Sequence, residues 1–451
     1  MPDRGFLDRR FSVRARGSTI PREVIGGLTT FAAMAYCVAV NPMVMQDAGM
    51  DRASVLSATC LIAIICTTIM GLWANLPLGL APAMGSNVVF AVVLVRQMSM
   101  PWPAALALVS LTGGIFLVMT MTGLRERIAQ AIPLSLRVGI QGAVGFVILF
   151  IGMRHAGFVV PNRSTFVAMG PIGDPRVLLT LAGFIATPVL VARRVPGALI
   201  LSIAVLTIAG LFLPDGHGGT ITRWPTRIVA LPVWPRATAF HQDWPWLAQH
   251  VVSIMPMMFF FLCTELFGSL ANVLSAMSAA GLVAENGHIP HARRTFATDA
   301  IGSMAGPLLG TSVVTVYSES VTGVQAGART GLAALVIAGG FCLALFFWPV
   351  FMIIPAQATA PALLVVGLMM LQGLRALDLS DLAECGPALL TIVIAAMTAN
   401  LINGMAFGVF AHIALMSAHG RAREMSPVIW ALGVIFGLFF LVSAGLHPHG
   451  H

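Results

Sequence analysis

Apolar runs of about 18 residues or more, the length a helix needs to cross a bilayer, follow one another almost to the end of this 451-residue chain. The pattern predicts spans over 22–45, 53–74, 77–97, 102–122, 132–154, 176–192 and 196–213. A polar stretch, Pro214–Asp243, interrupts the series, which resumes over 246–278, 296–310, 311–326, 329–353, 357–374, 386–402 and 404–419. A last apolar run, 427–446, is either a further span or a helix lying on the membrane surface. The predicted fold class is therefore an all-α polytopic membrane protein of about 14 spans. With an odd number of spans in each half, the two halves are expected to be inverted repeats.

Two stretches at corresponding positions of the halves break this pattern. "LPLGLAPAMGSNVVFAVVLV" (Leu76–Val95) forms the third segment of the first half and "LLGTSVVTVYSESVTGV" (Leu308–Val324) the third of the second. Both open with Gly or Pro and a few strand-like residues and end in what reads as a short helix. Discontinuous segments at matching positions of two repeats point to a transporter's binding site. Non-helical backbone at membrane depth is tolerated only where it lines a cavity or is buried in protein. The breaks in spans 3 and 10 are thus expected to bring Ala83–Asn87 opposite Tyr317–Glu319 near the midplane, each half-helix offering unpaired N–H groups at its start.

Composition sharpens this picture. The chain is 58% hydrophobic and 9% charged, with a mean hydropathy of +0.90, outside the range of soluble proteins of this length. The formal net charge is +8, and every basic residue is Arg. The arginines cluster in short loops, which argues against a nucleic-acid partner. Arg4, Arg9, Arg10, Arg14, Arg16 and Arg22 precede the first span, so the positive-inside rule puts the N-terminus in the cytoplasm. The pairs Arg125/Arg127, Arg193/Arg194, Arg293/Arg294 and Arg421/Arg423 then fall on the same side. The location implied is the cell (inner or plasma) membrane. No cleavable signal peptide is expected, because the segment before the first span is basic and polar. Trp224, Trp234, Trp244 and Trp246 mark the 214–245 region as an external linker lying at the headgroup level. The six cysteines lack metal-ligand or CxxC spacing and read as small buried hydrophobes.

Of 17 acidic residues, Glu265 and Glu319 are the ones expected deep within apolar spans, and an intramembrane carboxylate is a functional hypothesis by default. Burial and a second carboxylate nearby both disfavour the charged form, which makes Glu265 the candidate carrier of a coupling proton. Glu319 begins the short helix of its own segment, where the helix dipole is expected to steady it as an anion. The candidate substrate-binding set is Glu265, Glu319, Asn87, Ser86, Gly85, Ser318, Tyr317, Phe261, Ser269 and Ala83. Ser269 lies one turn after Glu265 on the same face.

These residues sit in longer stretches that resemble a known family. "GLTTFAAMAY" followed by "VNP", "ATCLIAIICTTIMGLWANLPLGLAPAMGSN", "IPLSLRVGIQGAVGF", "VPGALI", "ATDAIGSMAGPLLGTSVVTVYSES", "TGVQAGARTGL" and "IPAQATAPALLVVG" resemble the nucleobase–cation symporter-2 superfamily, in its AzgA-like branch of hypoxanthine, adenine and guanine permeases. The resemblance runs from about residue 20 to 445. It implies a core domain from spans 1–4 and 8–11 (22–122 and 246–353) and a gate domain from spans 5–7 and 12–14 (123–213 and 354–419). The 1–21 tail is cytoplasmic, and 420–451 is a C-terminal segment. It further implies proton-coupled secondary active transport of a purine base by an elevator-like shift of core against gate, with Asn87, Glu265 and Glu319 touching substrate. Two motifs depart from the branch. Its usual Asp-Leu-Phe-Asp in the eighth span is "ELFG" here, so Gly268 replaces the second acid, and Pro-Gly-Met-Gly-Leu-Asn becomes "PAMGSN".

The expected partners are a small nucleobase-like molecule, membrane lipid and, as an open option, a second copy in a homodimer. No cofactor other than the coupling proton is implied. Another planar heterocycle or small metabolite is the alternative cargo. A membrane-embedded enzyme or receptor is the reading from another class; it finds no paired metal ligands, nucleophile–base arrangement or soluble domain in the sequence.

Overall fold

The computed structural model describes residues 6–123, 133–215, 218–282, 291–398 and 400–446. The first span consists of α1 (Ile20–Met34) and α2 (Tyr36–Gln46). It is followed by α3 (Arg52–Ile69), the short strand β1 (Leu80–Pro82), the half-helix α4 (Met84–Val88), α5 (Trp102–Thr122) and α6 (Leu134–His155). An exposed hairpin of β2 (Val159–Asn162) and β3 (Phe166–Met169) precedes α7 (Pro175–Ala192) and α8 (Ala198–Gly210). The second half comprises α9 (Val251–Ala279), α10 (Ala292–Leu308), strand β4 (Val314–Val316), the half-helix α11 (Ser320–Gln325), α12 (Gly331–Phe346), α13 (Ala356–Leu371), α14 (Leu382–Thr398) and α15 (Leu401–Ala418). The last helix is α16 (Pro427–Leu446). Wider π-helical turns carry α3 on to Ala74 and α4 on to Gln97.

Polar side chains open the spans where the chain turns. Asp51 accepts from Ser54 N at 2.8 Å, Asp174 from Arg176 N at 2.8 Å and Asn400 from Ile402 N at 2.9 Å, each supplying an acceptor to an otherwise orphaned first-turn amide. Among the described residues, 8 helices are long and apolar enough to cross a membrane, with shorter apolar helices such as Met84–Gln97, α8, α12 and α14 between them. The polar α10 is shielded by protein, packed against α5 and α3. It lies against α5 so closely that a Cβ at Gly113 would stand 2.5 Å from Met304 N. Similarly, α3 and α12 meet backbone to backbone at Gly71 and Gly331.

The helices sort into two bundles. In the first, α1–α5 pack with α9–α12; in the second, α6–α8 pack with α13–α15. They meet where α4 touches α6 and α2 touches α13. α16 packs on α15 and α9. The linker before α9 folds over helix ends of the first bundle, through Asp243 N to Pro103 O (3.1 Å), Gln242 Nε2 to Pro307 O (2.7 Å) and Ala230 N to Phe346 O (3.0 Å).

At the centre of the first bundle β1 and β4 pair antiparallel, with Leu80 opposite Val316, Ala81 opposite Thr315 and Pro82 opposite Val314. Flanking bonds run from Ala83 N to Val313 O (2.8 Å) and from Tyr317 N to Gly79 O (2.9 Å). In an antiparallel ladder alternate residues turn their backbone groups outward, and here side chains meet most of the outward groups. Val316 N donates to Asp299 Oδ1 (3.0 Å), and Val316 O accepts from Asn272 Nδ2 (2.7 Å). Leu80 N donates to Thr67 Oγ1 (3.0 Å). Pro82 occupies an outward position, where its missing N–H leaves nothing unpaired, and its carbonyl accepts from Tyr317 OH (2.6 Å).

Two sequence expectations need correction. Asp299, near the start of the predicted 296–310 span, is fully buried, because α5 and α3 pack against α10. Glu23 is also fully buried, accepting from Arg329 N (2.9 Å) and Thr330 N (3.2 Å). Glu265 is therefore not the only buried carboxylate, and Glu319 is half-buried. Of the cysteines, Cys342 is exposed; the others are buried as expected. Arg125 and Arg127 lie outside the described residues.

An ionic contact joins the bundles at one end. Asp47, just past α2, lies 2.7 Å from His155 Nε2 at the end of α6 and 3.2 Å from Arg96 Nη2. Burial alone would raise the Asp47 carboxyl. The hydrogen bond from His155 and the positive charges of His155, Arg96 and Arg154 outweigh it and hold Asp47 below its ordinary value. A depressed folded-state value stabilises above the unfolded value near pH 4 and loses that contribution as pH falls through the folded one. Asp47→Asn should accordingly lower the thermal midpoint in detergent at neutral pH, and the gap from wild type should close on acidification below about pH 4. A gap independent of pH would exclude this ionic role. Asp299→Ala should leave Val316 N without its acceptor at a cost of about 1–3 kcal/mol, read as a lower unfolding midpoint; an unchanged midpoint would show that β4 is held without it.

Candidate functional site

The starts of both half-helices open on one cavity of about 320 Å³. Ala83, Met84, Gly85 and Ser86 line it from the end of β1 and the first turn of α4. Thr315, Val316, Tyr317, Ser318 and Glu319 line it from β4 and the turn before α11. Thr264, Glu265, Gly268 and Asn272 form a third wall along one face of α9, with Glu265, Gly268 and Asn272 spaced three to four residues apart as a helix requires. These elements, with Tyr36 from the start of α2, belong to the first bundle. Gln141 of α6 and Val366, Met369, Met370 and Gln372 at the end of α13 close the cavity from the second.

The two carboxylates are held differently. Glu319 Oε1 accepts from Tyr36 OH and Oε2 from Ser318 Oγ, both at 3.0 Å. The helix start does not cap it. The first amides of α11 turn back on carbonyls three residues earlier, Ser320 N to Tyr317 O at 3.2 Å and Thr322 N to Glu319 O at 3.0 Å. The side-chain hydrogen bonds that hold the Glu319 carboxylate come from these two hydroxyls, and none comes from the amides of α11. Glu265 Oε2 lies 2.9 Å from Ser303 Oγ, and Oε1 lies 3.5 Å from Ser86 Oγ. Ser303 Oγ also lies 2.9 Å from Val314 O. A hydroxyl carries one proton, so Ser303 can serve the carboxylate or the strand carbonyl. It can satisfy both if Glu265 carries a proton and donates it to Ser303.

The structure gathers most of the expected set around this cavity: Ala83, Gly85, Ser86, Glu265, Tyr317, Ser318 and Glu319. Asn87, Phe261 and Ser269 are fully buried and do not line it. Asn87 Nδ2 donates to Asn41 Oδ1, and Asn41 in turn donates to Thr59 Oγ1 (2.7 Å) and Thr311 Oγ1 (2.9 Å), a polar network behind the half-helix. Phe261 packs edge-on against Phe260 with ring centroids 5.4 Å apart. A Cβ at Gly268 would meet nothing within 4 Å, so the position of the absent acid is open space.

Several lining residues were not foreseen. Tyr36 and Tyr317 are the only 2 tyrosines in the chain, and their rings lie 6.3 Å apart; that scarcity was a usable signal. Asn272, seven residues after Glu265, could have been found from helical periodicity. Gln141 and Gln372 come from the other bundle, where no local pattern marks them.

The Permease family model matches residues 21–407. The chain is 35% identical to the adenine permease AdeP of Escherichia coli over 96% of its own length and 95% of that protein's. It is 34% identical to the guanine/hypoxanthine permease PbuG of Bacillus subtilis, over 94% and 97%. Among solved structures, the transmembrane domain of the cyanobacterial bicarbonate transporter BicA superposes with a TM-score of 0.60 at 15% identity, covering 85% of this chain and 96% of that one. Murine Slc26a9, an anion transporter in the inward-facing state, gives 0.61 at 12% identity, covering 88% and 68%. The structural likeness speaks for the fold alone: two inverted repeats with broken third and tenth spans. The family and the sequence relatives are permeases rather than enzymes. A multi-pass helical fold, a central cavity between paired half-helices and a match along most of the chain lead to one assignment: this protein belongs to the nucleobase–cation symporter-2 family of permeases.

Proposed function

We propose that the protein is a secondary active transporter that takes up a purine nucleobase with a proton, by movement of the first bundle, as core, against the second, as gate. The observation that carries this reading is the pair of carboxylates, Glu265 and Glu319, on two walls of one cavity. Carboxylates accept hydrogen bonds, and a neutral ring offering N–H donors satisfies them. An anion would be repelled, which separates the cargo from that named for the bicarbonate transporter of similar fold. Relatives at 34–35% identity named as adenine and guanine/hypoxanthine permeases support a purine.

Proton coupling is supported by the Ser303 arrangement, which is fully satisfied when Glu265 is protonated. The core-against-gate movement is supported by the lining. The strand pair and both half-helices lie in one bundle, while Gln141, Met369, Met370 and Gln372 come from the other, so the cavity sits on the seam. The protein resides on this reading in the cell's inner or plasma membrane with its N-terminus in the cytoplasm. The open space at Gly268 favours a second reading, a different planar heterocycle. Binding profiles across nucleobases decide between the two.

Glu319→Gln should weaken nucleobase binding roughly tenfold to a hundredfold, since a hydrogen bond to a charged group is worth about 1.5–3 kcal/mol. Isothermal titration of purified protein measures this, and unaltered affinity would remove Glu319 from the site. Glu265→Gln fixes the neutral form. It should still bind, lose the pH dependence of binding and fail to concentrate substrate in vesicles under an imposed pH gradient, while exchange continues. Gradient-driven accumulation by this variant would mean that another group carries the proton.

A further inference from the structure

A second cavity, of about 310 Å³, adjoins the central one. Gln141, Thr264, Gly268 and Met370 line both, so the two spaces share a wall. The second extends between the beginning of α6, at Leu134 and Arg137, and the latter part of α9, at Leu270 and Leu274. Gly268 lies on the shared wall, where a side chain would stand in empty space.

The polar feature of this outer cavity is Arg137. Its guanidinium carbon lies 5.1 Å from the centroid of the Phe267 ring, within the range of a cation–π contact. Its Nε is buried and has no hydrogen-bond partner among the described residues. No carboxylate among them forms a salt bridge with it. The rest of the lining is largely aliphatic or aromatic.

We infer that this outer cavity is a second docking site for the transported heterocycle, with Arg137 and Phe267 as its recognition pair and Gly268 as the opening to the central pocket. The inference rests on the nucleobase reading of the central pocket. The chemistry selects the occupant. A cation is repelled by Arg137. A multiply charged anion loses its hydration against apolar walls at a cost that one guanidinium does not offset. A neutral flat ring with carbonyl or ring-nitrogen acceptors meets both demands: it takes hydrogen bonds from the planar guanidinium and the Gln141 amide, and it lays its face on the apolar surface. The central pocket presents carboxylate acceptors to the ring's N–H donors, whereas the outer site presents donors to the ring's acceptors. A base can therefore pass from one to the other without losing all its polar partners at once. The positive-inside rule places the start of α6 at the cytoplasmic face, so the outer site lies on the inner half of the path.

Equilibrium binding of radiolabelled hypoxanthine to purified protein tests this. Wild type should bind in two components, tight and weak. Glu319→Gln should abolish or weaken the tight component and leave the weak one. Arg137→Gln should remove the weak component while leaving the tight affinity within about twofold. Phe267→Leu, which keeps apolar volume and removes the ring, should weaken the outer site by an independent route. A single component, sensitive to Glu319→Gln and indifferent to Arg137→Gln, would overturn the outer site and leave the nucleobase reading intact. Displacement of the weak component by inorganic phosphate would assign Arg137 to an anion and also overturn it. Absence of binding of any nucleobase to wild type would overturn the reading of the central pocket, and the outer site with it.

Discussion

Unwound backbone cannot stand at membrane depth without hydrogen-bond partners, because no bulk water is there to replace them. This chain unwinds twice, before α4 and before α11, and the antiparallel pairing of β1 with β4 lets each break satisfy the other. Much of the functional architecture depends on that pairing. It fixes Ala83 and Tyr317 at the two ends of a short ladder, so both half-helices begin beside the same cavity. It also explains the buried polar groups around it. Asp299, Asn272, Thr67 and Ser303 each meet an outward backbone group of a strand too short to have further neighbours.

The same arrangement couples structure to chemistry. Ser303 touches both the β4 carbonyl of Val314 and the carboxylate of Glu265. Ser303 thereby ties Glu265 to the strand that presents Tyr317, Ser318 and Glu319. Glu319 is held by Tyr36, from the first span, and by its neighbour Ser318. Groups from the first, eighth, ninth and tenth predicted spans thereby act on one small volume inside one bundle. The second bundle contributes Gln141, Val366, Met369, Met370 and Gln372 to the wall of that volume.

Much of this was legible along the chain. The succession of apolar runs determined a polytopic helical protein, because a bilayer admits helices of a set length. The Gly- and Pro-rich openings of the third and tenth segments determined where the helices break, because those residues disrupt helix locally. The acids in "CTEL" and "YSES" stood out against apolar surroundings, and the family motifs lay in the same stretches.

What tertiary structure alone decided is direction and partnership. Asn87, Ser269 and Phe261 flank or neighbour the right positions, yet their helices turn them into the packed interior, and a sequence gives no sign of which neighbour lies behind a helix. Asp299 looked peripheral because α10 is polar, and its burial follows only from α5 and α3 closing over it. Gln141 and Gln372 reach the cavity from the other bundle. Local pattern therefore determined the spans, their breaks and the acids within them, since these follow from helix length, backbone chemistry and the cost of charge in lipid. The identity of the groups that meet across the cavity depended on the packing of two distant halves, which no local pattern encodes.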